Sequence, residues 1–180
     1  MGRQLIICVE ANKESKSDYI YIKKTIEEFF DLDLSVVKLS PIYMGGRGNY
    51  ASNKIRKEIK RLSNQYNSTS LNNENSVIFC FDCDDYDTNS EDENFITRAK
   101  QFCDKNNYDF VWFCRDVEDV YLKRKVPDNQ KRKEADRFIT GKKIESVRAE
   151  VLSEKGNSLS DFRIHRSNIF SVLEKYLKKK

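Results

Sequence analysis

The chain has 180 residues, 38% apolar and 12% aromatic, with only 6 Gly and 2 Pro; this is material for one compact domain and excludes global disorder, a collagen repeat and a disulfide mini-protein. Its net charge of +4 is unevenly spread, with 16 basic against 21 acidic residues through position 120 and 17 against 8 beyond it. An acidic body joined to a basic last third suits the holding of a polyanion alongside metal ions, and equally suits solvated helix faces.

The first apolar run, Leu5–Val9, ends at Glu10 and reads as a strand covered on both faces. A helix follows from Ser17 or Asp18, with Tyr19, Ile22, Ile26 and Phe29 at helical spacing and Ser17 as its expected cap. Leu34–Leu39 is the second strand, and Pro41 with Gly45-Gly46-Arg47-Gly48 forms a turn in which Arg47 is a candidate phosphate contact. The next helix covers Ser52 to Gln65, with Ile55, Ile59 and Leu62 inward, and Ser63–Ser76 is an exposed loop. Val77–Phe81 is the third strand and runs into the acidic cluster Asp82–Asp87. Phe95, Ala99 and Phe102 mark a helix, Phe110–Cys114 the fourth strand, and Val117, Val120 and Tyr121 a further helical face. The last third carries the basic runs Lys123-Arg124-Lys125 and Lys131-Arg132-Lys133, a helix around Ala135 and Phe138, and a terminal helix capped by Ser167. Strands alternating with helices predict a three-layer α/β sandwich, with a mainly parallel sheet of about four strands. The whole chain reads as a single domain in which 123–180 is a basic, mainly helical extension.

The apolar runs fall far short of the roughly 20 residues needed to span a membrane, and the N-terminus lacks the pattern of a signal peptide. A cytoplasmic protein is the expectation. Five cysteines in mainly apolar settings read as reduced, buried thiols. His165 is the sole histidine, which argues against His-dependent hydrolase chemistry.

Ligand sites in open α/β sheets lie at the carboxyl ends of the strands. Glu10 closes the first strand, Asp82 and Asp84 follow the third, and Asp116 and Glu118 lie beyond the fourth. In extended backbone Asp82 and Asp84 point the same way. Such oxygen ligands suit Mg²⁺ or Mn²⁺, and a metal site with flanking cations suits phosphodiester cleavage, Glu10 serving as general acid or base. Arg47, Lys123, Arg124, Lys125, Lys131, Arg132 and Lys133 are the candidate nucleic-acid contacts.

The pieces Leu5-Ile6-Ile7-Cys8-Val9-Glu10-Ala11 and Val77-Ile78-Phe79-Cys80-Phe81-Asp82-Cys83-Asp84 resemble the Toprim domain. That domain is shared by topoisomerases, bacterial primases, OLD-family nucleases and the RloB-like proteins of bacterial defence loci. The resemblance covers residues 5–122. It implies that Glu10 is the general acid/base and a metal-site carboxylate, that Asp82 and Asp84 are Mg²⁺ ligands, and that Glu118, with Asp116 as a competing register, is a further acidic ligand. Ala11 stands where the family usually has Gly. The expected function is metal-dependent cleavage of DNA or RNA in defence or nucleic-acid processing. A non-catalytic subunit that binds nucleic acid or a protein partner of a defence system is the alternative, and a small-nucleotide phosphotransfer enzyme a third. The sequence leaves monomer and homodimer both open.

Overall fold

The computed structural model describes residues 2–180. Four parallel strands form the central sheet: β1 (Arg3–Val9), β3 (Val37–Tyr43), β4 (Glu74–Asp82) and β5 (Asp109–Phe113), in the spatial order β3-β1-β4-β5. A second, two-stranded sheet pairs β2 (Phe30–Asp31) with β6 (Lys178–Lys179). The helices are α1 (Ser17–Phe29), α2 (Asn53–Asn67), α3 (Ser90–Asn106), α4 (Val117–Leu122), α5 (Asp128–Thr140) and α6 (Ile169–Leu173). Short 3-10 turns lie between α5 and α6. Among the described residues no helix is long and apolar enough to cross a membrane.

Alternation along β1 makes this a three-layer sandwich. Leu5, Ile7 and Val9 face one core with Tyr21, Ile22 and Ile26 of α1, Phe138 of α5 and Phe170 of α6. Ile6 and Cys8 face the other with Ile55 and Ile59 of α2 and Phe95, Ile96 and Ala99 of α3. A strand buried on both faces has no polar side to show, which is why these runs are continuously apolar. Each large side chain so buried contributes about 1.5–3 kcal/mol. All five cysteines are free and buried in these cores.

Two local expectations are corrected. The second main strand starts at Val37, because the Asp33 carboxylate accepts the Ser35 amide at 2.9 Å and the Asp33 carbonyl accepts from Val36 and Val37. This Asx-type turn occupies the preceding backbone and leaves Leu34 74% exposed. The strand then runs through Pro41 rather than stopping before it, which an edge strand tolerates. Ser17 does not cap α1: it lies inside the helix, the residue before it is Lys16 at φ 51°, and the Ser17 hydroxyl donates to Asp18 at 3.0 Å.

The basic last third packs onto the sheet. The Asn168 side chain accepts from the Trp112 amide at 3.0 Å and donates to the Phe110 carbonyl at 3.0 Å. The Cys114 amide donates to the Arg166 carbonyl at 2.9 Å, and Ser167 bridges to Phe113. This segment therefore takes up the otherwise open edge of β5. The expected cap is corrected: Asn168, not Ser167, stands at the N-cap of α6 without a side-chain cap bond, and the Ser167 hydroxyl, one residue earlier, accepts the Ile169 amide at 3.1 Å.

The topology also marks the place where open α/β sheets commonly take a ligand. From β1 the chain crosses through α1 to β3 on one side, and from β4 it crosses through α3 to β5 on the other. The connections diverge at the carboxyl ends of β1 and β4, and such divergence opens a crevice there.

Candidate functional site

Glu10 and Asp82 meet in that crevice. Cys8 is level with Phe79 in the β1–β4 register, which brings Glu10, two residues on, beside the end of β4. The Asp82 amide donates to Glu10 Oε1 at 3.0 Å, and Asp82 Oδ1 in turn accepts the Val117 amide at 3.0 Å. Each carboxylate thus has one oxygen fixed by backbone and a second not spoken for by these bonds. Burial pushes Glu10 up to about 8 against the restraining Asp82 hydrogen bond, and the charges of Asp18 and Asp84 add to the rise. Burial, then the charges of Glu10 and Asp18, raises Asp82 as well.

Asp84 does not share the orientation of Asp82. The strand ends at Asp82, and Asp84 takes a left-handed φ of 47°. Its carboxylate meets Arg47 at 2.6 Å, and the same guanidinium reaches Asp92 at 2.7 Å and lies over the Phe95 ring at 4.7 Å. Gly45 and Gly46, at φ 69° and 129°, let the loop after β3 fold against the segment after β1, where the Gly46 amide donates to the Glu10 carbonyl at 2.9 Å. These conformations favour glycine, and they bring Arg47 to the crevice. Ala11 keeps a negative φ, so its methyl group strains nothing.

Asp116 caps α4, accepting the Asp119 amide at 2.8 Å. Glu118, in the first turn of the same helix, is wholly buried, and neither of its oxygens accepts a hydrogen bond. The ammonium of Lys131 on α5 lies 3.2 Å from Glu118 and 3.5 Å from Asp116. Burial raises Glu118 to about 7, opposed by Lys131. Burial alone would lower the lysine, but Asp82, Glu118 and Asp116 outweigh it and hold the ammonium firmly charged.

Asp18 joins this group although the sequence reading passed over it. Its carboxylate accepts the Ala11 amide at 2.8 Å and the Ser17 hydroxyl at 3.0 Å, tying α1 to the segment after β1. Asp18 shares a helix face with Tyr21, Ile22 and Thr25, and Lys131 with Glu134, Ala135 and Phe138. A charged residue three, four and seven positions from buried ones is the signal that marks both as inward-facing.

The remaining basic candidates are dispersed. Arg124 pairs with Glu134, the Lys123 ammonium donates to the His165 carbonyl at 2.8 Å, and Arg132 binds Asp136 and the Ser15 carbonyl. Lys133 is exposed. Lys125 and Arg115 line a cleft of about 290 Å³ with Asp84, Asp85, Asp116 and Asp119. His165, without an evident partner in the sequence, binds Asp119 through Nδ1 at 2.7 Å.

The donor atoms are all oxygen, the chemistry of a hard divalent cation. They are not gathered as they lie: among the described residues no group of three His, Cys, Asp or Glu side chains is placed to hold a metal ion. Arg47 draws Asp84 aside, and Lys131 occupies Asp116 and Glu118. No protein-family model, curated protein or solved structure matches the chain.

Proposed function

We propose that this protein is a cytoplasmic, divalent-metal-dependent phosphodiesterase of the Toprim type, acting on DNA or RNA in the manner of RloB-like defence proteins. The observation that carries this reading is the meeting of Glu10 and Asp82 at the divergence point of the sheet, linked at 3.0 Å. The oxygen of Asp82 left over after its backbone bond, with Asp84 once released from Arg47, would offer oxygen donors to Mg²⁺ or Mn²⁺ beside Glu10. Bound there, the ion would supply an activated water and offset charge on phosphorus.

The chain's own residues account for the rest. A substrate phosphate competes with Asp84 for the Arg47 guanidinium, whose single contact to the Asp84 carboxylate a phosphate could replace with a bidentate one. Lys125, exposed at the adjoining cleft, would hold a neighbouring phosphate, whereas Arg115 is taken up by Asp85 and Asp87. Glu10, whose proton is retained near neutrality by burial, gives or takes a proton through Oε2, while Oε1 stays on the Asp82 amide.

Cleavage of single- and double-stranded DNA and RNA with Mn²⁺ or Mg²⁺ tests the reading. E10Q and D82A should lose activity while still melting cooperatively; unchanged cleavage in both variants rejects the assignment. A second reading, a non-catalytic Toprim-like subunit that binds nucleic acid or a protein partner, is favoured by the engagement of Asp84, Asp116 and Glu118 with internal cations. Nucleic-acid binding equal with and without metal, and no cleavage of any substrate, would select it.

A further inference from the structure

We infer that Lys131 is a resident counter-ion filling a second cation position, between Asp116 and Glu118, so that the native chain takes no divalent ion there. This rests on the reading of Glu10 and Asp82 as the metal end of the crevice, and it limits that site to one ion.

Three observations carry the inference. The Lys131 ammonium is only 3.2 Å from Glu118 Oε2, 3.5 Å from Asp116 Oδ2 and 3.9 Å from Asp128 Oδ1. Asp116 Oδ1 is committed to the α4 cap, so the oxygen facing the lysine is the one left to bind a cation. Glu118 is 0% exposed and has no hydrogen bond to either oxygen, which is costly for a buried carboxylate unless a cation compensates it. The lysine supplies that compensation, but as one charge on a long stem. It brings the carboxylates to ammonium distance, well beyond the 2.0–2.1 Å of a Mg²⁺ bond. Removing the ammonium would leave Glu118 uncompensated beside an acceptor oxygen of Asp116, a vacancy that a divalent cation can fill.

Counting bound Mn²⁺ by the loss of its free-ion electron paramagnetic resonance signal tests this. K131M keeps the aliphatic stem and removes the charge; it should bind one Mn²⁺ more than the wild type, and K131M/E118Q should lose that extra ion. An unchanged count in folded K131M overturns the inference. E118Q in the otherwise native chain gives a test that does not depend on K131M folding. Its Mn²⁺ count should equal the wild type's, and loss of an ion would show Glu118 already serving as a ligand beside Lys131, contrary to the inference. The underlying reading is judged apart from these arms, by whether D82A abolishes the wild-type ion.

Discussion

E10Q removes the charge of Glu10 while preserving its shape and its acceptor for the Asp82 amide, so it separates the electrostatics of the crevice from its packing. In the metal-free folded protein burial lifts this carboxyl from the ordinary 4.5 to about 8. Below pH 4.5 it is neutral in both folded and unfolded chains and has no effect on stability. As pH rises from there to about 8, the unfolded chain gives up a proton that the folded chain retains, and stability falls. At about 1.4 kcal/mol per unit the full interval sets an upper bound of roughly 5 kcal/mol. Relaxation of the neighbouring carboxylates takes up part of this, leaving an expected penalty of about 2–3 kcal/mol, or roughly 4–10 °C in melting temperature for a chain of this size. With chelator present, scanning calorimetry should therefore find E10Q melting above the wild type by that margin at pH 8, and nearly level with it at pH 4.5. Mn²⁺ should then raise the wild-type melting temperature at pH 8 by more than that of E10Q. If E10Q melts level with or below the wild type at both pH values, burial does not disfavour the ionised carboxylate and the electrostatic premise of the site is wrong.

Two further outcomes follow from named contacts. N168A deprives the buried Trp112 amide and Phe110 carbonyl of their partners, so urea unfolding should show a loss of about 2–4 kcal/mol; a loss below about 0.5 kcal/mol would mean that the last third does not close the β5 edge. Lys125, exposed at the cleft, should act as a phosphate contact: K125A is expected to reduce the salt slope of nucleic-acid binding by about 1. A slope identical to the wild type's would remove Lys125 from the interface.

The sheet was legible because its strands are buried on both faces, which leaves five-residue apolar runs that no surface helix would carry. The positions of Glu10 and Asp82 followed from the same fact, since each stands where an apolar run stops. What escaped the sequence was local. Lys131 sits in a run of three cations and resembles its neighbours, yet the turn of α5 sends it inward with Glu134, Ala135 and Phe138 while Lys133 stays outside. Asp18 stands in the sequence as an ordinary first-turn residue of a helix, and only the fold of the Ala11–Ser17 segment brings it back onto the Ala11 amide. Lys123, Arg124 and Lys125 form one run in the sequence but have three separate environments, because Lys123 takes a left-handed φ of 57° that ends α4 and splays the side chains.

Asp84 carries the most weight among these differences. The spacing of Asp82 and Asp84 promises parallel side chains only while the backbone stays extended, and here the strand hydrogen bonding gives way one residue too soon. The Cys83 amide goes to Phe113 and the Asp84 amide to the Arg115 carbonyl, at 3.0 and 2.8 Å, so the chain curls around the end of β5 and Asp84 faces the loop after β3. That loop reaches the crevice through the positive φ angles of Gly45 and Gly46, and Arg47 is held by Asp92 and the Phe95 ring as well as by Asp84. If the proposed function holds, a phosphate at the guanidinium would compete with Asp84 while Asp92 and the Phe95 ring still hold the arginine. On the proposed reading, such an exchange would couple assembly of the oxygen donors to arrival of the substrate, which would explain a donor set that is right in chemistry but not gathered as it lies.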